Sequence, residues 1–438
     1  MTLPKTLNDR EYQKFEYTTG TRVKTSTRFS DGAVIDAFGR LRVSNPVTLF
    51  DSKNIFDDPD IASTLENASL FFDNQETDGS GTSTTYNANK SEQVLTVGNE
   101  TAGTRIRQTK MRFNYQPGKS LLAILSFNLH GLVDGITKRE GYFDDNNGLF
   151  IELSDKAYIV QRSKGTGSVV DTKVEQDDWN IDKMDGTGKS KITLDFEKTQ
   201  ILFIDFEWLG VGRVRFGFVV DGLVYYVHEF NNANSLAFAY MGTPNLPIRS
   251  EISNDGTGAE ASITQICSTV ISEGGSQNLG VVRSVSTAGT NLDANTENSL
   301  YALLGLKLKD NYLGASVEIL NVALQLQTAS HRCEWVLILN PTVAGTFTYS
   351  GVSQSALSVA KGATANTVTG GYEISGGFIE SAGNAGGAAG SGYKGIQSAL
   401  KLGSTIAGVS DTLVLCVRPI GGSTNVDVEG AINWRELV

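Results

Sequence analysis

Three residue patterns in this sequence could carry chemistry. Asp205 and Glu207 stand at i and i+2 in Asp205-Phe206-Glu207-Trp208. On a strand they would share one face, and two carboxyls about 5–5.5 Å apart are what a retaining glycosidase uses. The same four residues also read as a polar face alternating with core aromatics, and no third group for acid–base work stands near them, so catalysis is not the expected use. The run Asp144-Asp145-Asn146-Asn147-Gly148 clusters oxygen donors. It makes Asp144, Asp145 and Asn147 a calcium candidate, the one metal expectation here, with Asp182 and Asp185 similar. No bidentate Glu follows at EF-hand spacing, and Asp and Asn are also plain turn formers. Trp179, within Gln176-Asp177-Asp178-Trp179-Asn180, has the most polar neighbours of the 4 tryptophans. Trp179 with Asp178 is therefore the candidate for stacking on a sugar, against core packing as the default for any Trp.

Other site chemistries find little support. His130, His228 and His331 fall at strand ends or within strand patterns, where a hydrogen-bonded structural role is expected. Cys267, Cys333 and Cys416 are far apart in apolar runs, which predicts buried free thiols, and there is no CxxC for zinc. No GxSxG elbow and no phosphate-binding loop occur; Gly210-Val211-Gly212 leads into a strand pattern rather than a helix.

The elements that must position these residues read as strands. The chain has 438 residues, 40% hydrophobic and 19% charged, with 47 Gly and 8 Pro. That is enough apolar material for two or three domains. Its net charge of −11 disfavours duplex DNA as a partner, because such binders displace counterions with cations. No apolar run approaches the ~20 residues of a membrane-spanning helix, and no secretory leader is expected after Met1.

Three regions follow. Residues 1–100 read as an irregular attachment arm, and 73–91 within it as a polar loop. Residues 2–53 carry nine Lys/Arg against six Asp/Glu, a local +3. Residues 101–275 hold short alternating or apolar runs at sandwich spacing, including Lys191–Phe196. The clearest local signal is Val214–Val220 meeting Leu223–His228 across Asp221-Gly222, a type I′ hairpin. Residues 276–438 form a second β region with 20 charged residues in 281–438 and none from Trp335 through Ala360. A surface so poor in charge is expected to be covered by copies of itself, with a homotrimer favoured. Phe347–Tyr349 reads as one of its strands. The expected class is all-β: an extended N-terminal arm, a jelly-roll sandwich and a second, C-terminal jelly-roll-like sandwich.

Several strings then form a pattern. They are Asp36-Ala37-Phe38-Gly39-Arg40-Leu41-Arg42-Val43-Ser44, Asn114-Tyr115-Gln116-Pro117-Gly118-Lys119-Ser120, Gly141-Tyr142-Phe143-Asp144-Asp145 and Glu207-Trp208-Leu209-Gly210-Val211-Gly212-Arg213-Val214-Arg215-Phe216-Gly217. Together, over roughly 30–275, they resemble a family of virion structural proteins of tailed bacteriophages. The resemblance implies a non-enzymatic role in the virion, as capsid decoration or tail or fibre component assembled in the bacterial cytoplasm. Other capsid or tail proteins would be the partners, and Phe38, Arg40, Leu41 and Arg42 the docking residues. The hairpin at Asp221-Gly222 is also similar to those of concanavalin-like sandwiches. A module binding host surface glycan is the alternative expectation, and a polysaccharide depolymerase ranks last, since β-helix repeats are absent.

Overall fold

The computed structural model describes residues 46–55, 71–277, 279–327, 329–381 and 401–437, with the backbone of a hairpin formed by β1 (Tyr12–Tyr17) and β2 (Gly20–Thr25). Phe38, Arg40, Leu41 and Arg42 lie outside the described residues. The described chain is all-β, with two sandwich-like pairs of antiparallel sheets.

The first sandwich packs a seven-stranded sheet against an eight-stranded one. Its seven-stranded front sheet runs, edge to edge, β12 (Val170–Glu175), β11 (Ala157–Ser163), β10 (Gly148–Leu153), β9 (Ile136–Phe143), β16 (Ile248–Asn254), β7 (Gly103–Thr109) and β4 (Phe72–Gly79). Its back sheet runs β15 (Leu223–Asn231), β14 (Arg213–Val220), β13 (Gln200–Phe206), β8 (Leu121–Asn128), β17 (Ala261–Ser272), β6 (Glu92–Val97) and β5 (Thr82–Asn87), and β3 (Val47–Lys53) also pairs with β17. Period-two alternation sends Leu202, Ile204 and Phe206 inward from one sheet and Leu149, Ile151 and Ile248 from the other. Aromatic rings run through this interior: Phe50–Phe113 at 5.2 Å, Phe113–Tyr142 at 6.2 Å and Tyr142–Phe206 at 5.3 Å between centroids. The hairpin at Asp221-Gly222 forms as predicted, with φ of +51° and +75° and Val220 opposite Leu223.

Two expectations about this half are corrected. The sandwich takes in residues assigned to the irregular arm: β3 through β6 complete both sheets, with Phe50 buried against Phe72. Most of the polar run 73–91 is strand, in β4 and β5, because edge positions need only backbone pairing, and Thr and Tyr fit a half-solvated pleat. Lys191–Phe196 is not a strand; only an isolated bridge joins Thr193 to Asp185.

The second sandwich packs two sheets. One centres on β29 (Val426–Leu437), flanked by β18 (Val281–Ser286) and β19 (Leu292–Ala294) on one side and β21 (Ser316–Leu326) on the other. The other runs β24 (Ser350–Gly351), β25 (Leu357–Lys361), β20 (Tyr301–Leu308), β28 (Thr412–Ile420), β22 (Arg332–Leu339) and β27 (Tyr372–Glu380). β23 (Thr342–Val343) and β26 (Val368–Thr369) make a two-stranded flap, and Phe347–Tyr349 is not strand. Burial along β29 alternates at every position, with Trp434 and Ile432 inside. Residues 403–411 leave this sandwich and reach the first. The amide of Ser404 donates to the carbonyl of Lys110 (2.9 Å), and that of Ile406 to Oδ2 of Asp73 (2.7 Å).

Candidate functional site

The 403–411 loop walls one side of a cleft of about 570 Å³ on the outward face of the front sheet. Its floor is built by strand register. Arg139 on β9 points outward, and its neighbours across the ladders are Glu152 on β10 and Glu251 on β16. Arg139 Nε donates to Glu152 (2.7 Å) and its Nη1 to Glu251. Arg249 bridges Glu251 (2.7 Å) and Asp145 (2.7 Å); Arg162 on β11 makes a two-pronged pair with Asp171 on β12 (2.8 and 2.9 Å); Lys173 closes on Glu152 (2.6 Å). Under this lattice Phe143 and Phe150 meet at 4.4 Å with their rings tilted by 32°, capped by the guanidiniums of Arg162 (4.9 Å) and Arg249 (5.3 Å). Gly141 stands opposite Phe150, and a Cβ there would fall 2.5 Å from that of Phe150, so the two rings meet only because position 141 has no side chain.

The electrostatics are those of matched charge. Burial alone would raise the carboxyls of Glu251 and Asp171, but the guanidiniums of Arg249 and Arg139, and of Arg162, outweigh it and hold both below the usual range. Arg139 is likewise raised by Glu251 and Glu152 against the cost of burial. Glu251 and Asp171 are thus each held ionised by a fixed cation, the opposite of a carboxyl tuned to carry a proton. It offers planar donors, carboxylate acceptors and a buried aromatic pair.

The inward side of the same strands is also polar. Lys138 donates its ammonium protons to the carbonyls of Leu129 (2.7 Å), Gly131 (2.9 Å) and His130 (3.3 Å), in the turn after β8. Burial lowers it to about 8. Glu140, two residues on, is 1% exposed, and burial pushes it up to about 8, with neighbouring Ser250 and the charge of Arg107 pulling the other way.

The sequence candidates end up elsewhere. Asp144 folds back on its own turn: Oδ1 accepts the amides of Asn146 (2.8 Å) and Asn147 (2.9 Å), and Oδ2 takes Arg112 (2.6 Å). Asn147 accepts the amide of Gly242 (2.7 Å), and Asp145 faces Arg249. The calcium expectation is corrected on that ground, since guanidinium and amide hydrogens already occupy these oxygens. Among the described residues no group of three or more acidic, His or Cys side chains could hold a metal. Asp182 and Asp185 likewise accept backbone amides of their own loop. Trp179 is 3% exposed, lies against Phe218 at 6.3 Å and donates to the carbonyl of Val174 (3.2 Å). It is core, while Asp178 beside it is exposed, so the sugar-stacking assignment is corrected. Asp205 pairs with Arg215 on the back sheet, and Glu207 follows the end of β13, so no shared catalytic face forms. His228 is buried, accepts the amide of Asn180 (3.3 Å) and is lowered by burial to about 4. All three cysteines are free, but Cys267 is exposed, because a bulge between Gln265 and Cys267 turns it outward.

Sequence reasoning missed the front-sheet lattice. Its central strands, β9 and β16, read Ile-Thr-Lys-Arg-Glu-Gly-Tyr-Phe and Ile-Arg-Ser-Glu-Ile-Ser-Asn, where inward Lys138, Glu140 and Ser250 erase the apolar alternation. The available signal was the opposite-charge pairing itself, Arg139 and Glu152, Arg249 and Glu251, Arg162 and Asp171.

No family model matches the chain, and no curated protein matches it. Among solved structures it is similar to a glycoside hydrolase family protein from Mycobacterium thermorestibile, at 13% identity over 51% of this chain and 99% of that one, with a TM-score of 0.34. It is similar to the β-glucanase of Bacillus licheniformis at 11% identity over 52% and 99%, TM-score 0.28. A third is the carbohydrate recognition domain of Emp47p, 10% identical over 48% and 91%, TM-score 0.27.

Proposed function

We propose that this chain is a non-enzymatic virion structural protein of a tailed bacteriophage, held to the particle through residues preceding β3. The observation that carries the non-enzymatic part is the front-sheet lattice, in which Glu152, Glu251 and Asp171 are each spent on a fixed arginine or lysine. A general acid needs a carboxyl that keeps its proton near neutral pH, and a nucleophile needs one open to substrate. The attachment part is supported by β3, which ties the arm to the sandwich by pairing with β17 and burying Phe50. Residues before Val47 are thus joined to the sandwich at a fixed point, which suits docking of that segment on a neighbour.

Because β3 is structural, the test deletes residues 2–45 and spares it. Particles assembled with the shortened protein should lose it on purification while its melting temperature stays unchanged; retention at wild-type copy number refutes arm docking. A second reading, a module for host surface glycan, is favoured by the cleft, whose guanidinium and carboxylate groups match hydroxyl-rich ligands. A glycan array with wild type and Arg162→Ala tests it: binding should appear and fall at least tenfold in the variant, and an array silent for the wild type removes this reading.

A further inference from the structure

The outward face of the back sheet carries apolar side chains on several neighbouring strands. Strand register places Ile271 of β17, Ile124 of β8, Ile201 and Phe203 of β13, and Val224 and Tyr226 of β15 on that one side. None belongs to a core cluster, and Ile201 and Val224 are each 39% exposed. Phe203 and Tyr226 meet edge to face at 6.0 Å above Gly217, which leaves the middle of the face flat. Exposed apolar residues of the second sandwich fall instead on one edge segment, Leu279 to Val282, and singly at Tyr312, Phe378 and Val409.

We infer that this face is where a second copy of the chain docks, back sheet against back sheet. Two observations select a copy as the occupant. The charges on the face are matched within it: Arg215 pairs with Asp205, and Arg213 with Glu229 at 3.5 Å. A chain of net charge −11 repels its copy wherever unpaired carboxylates meet, and here its centre brings none. The area is also sufficient. Five strands at ~4.8 Å and about seven residues at ~3.4 Å span a footprint near ~24 by ~24 Å, roughly 600 Å². That reaches the lower bound of an ordinary stable interface, about 1,200 Å² over both partners. Face-to-face sheets pack about 10 Å apart through such side chains, and a patch that meets itself closes as a two-fold pair rather than a three-fold ring.

The inference goes beyond the virion reading and survives its failure, since it concerns the purified full chain alone. Light scattering at tens of micromolar should give twice the 47.0 kDa chain mass, and Val224→Glu and Phe203→Glu should each halve it with the circular dichroism unchanged. A probe needing no substitution is Cys267, exposed on the same face while Cys333 and Cys416 are buried. Its alkylation by iodoacetamide should slow several-fold as protein concentration rises through the dimerisation range. A wild type that stays monomeric, a variant that keeps the doubled mass, or Cys267 reactivity independent of concentration overturns the inference.

Discussion

Outward positions of the front sheet hold Arg139, Glu152, Arg162, Asp171, Arg249 and Glu251, while those of the back sheet hold Ile124, Ile201, Phe203, Val224 and Ile271. Both sheets alternate with the same period and share one interior, yet the front sheet covers its outward apolar residues Phe143 and Phe150 with a lattice of ion pairs, while the back sheet has two such pairs and leaves Ile201 and Val224 exposed. Alternation fixes which residues point away from the core, not whether water is their intended neighbour. On the front sheet, opposed charges on adjacent strands hold each other in place. On the back sheet, Ile201 and Val224 have no such partner across the ladder, and the inferred docking of a second copy would supply one.

That contrast can be broken experimentally, most sharply at the lattice. Arg139→Ala removes the cation that Glu152 and Glu251 share and leaves them with Lys173 and Arg249 alone; losing two charge-assisted hydrogen bonds should cost about 3 kcal/mol in urea unfolding; a cost below about 1 kcal/mol would mean the front face is as loosely finished as the back. The interior that both sheets share is probed by Trp179→Ala, which should destabilise by about 3 kcal/mol, since the indole is core rather than a sugar platform. An unchanged melting temperature with lost glycan binding would reverse that assignment.

A smaller effect comes from the buried carboxyl behind the lattice. Glu140 is raised from its ordinary 4.5 to about 8 by burial, so the native state holds a proton that the unfolded chain gives up. Its contribution is complete below pH 4.5 and is lost as pH rises through about 8. His228, lowered to about 4, changes stability only below its ordinary 6.5, and Lys138, lowered to about 8, acts mainly above 8 with the opposite sign. Between pH 6.5 and 8 wild type should therefore lose stability with rising pH, and Glu140→Gln should flatten the slope; equal slopes in chemical denaturation would refute the assignment. The smallest effect belongs to the back face, where Ile201→Ser in the monomer should fall within about 0.5 kcal/mol of wild type.

How far the sequence could be read depended on what each strand buries. β14 and β15 were legible because their inward residues are apolar and Asp221-Gly222 permits the left-handed turn. β29 was legible because it alternates without a break. β9 was not, because Lys138 and Glu140 lie on the core side, their charge met by backbone carbonyls and by burial-induced protonation that no periodicity encodes. For the Asp144 loop and Trp179 the sequence left a ligand role open beside the turn and core readings, because the residues that decide between them are distant. Arg112 is 32 residues away in sequence, and Phe218 approaches Trp179 only across the folded interior.

Local sequence by itself determined that the chain is built of antiparallel sheets, where its tightest hairpin turns, and that its second half is short of charge, since each follows from period-two patterning, turn chemistry or composition. Only the tertiary structure decided which charges neutralise one another and which apolar faces stay open. Those outcomes depend on strands brought together from distant parts of the chain, and one residue of register separates a side chain in the core from one on the surface.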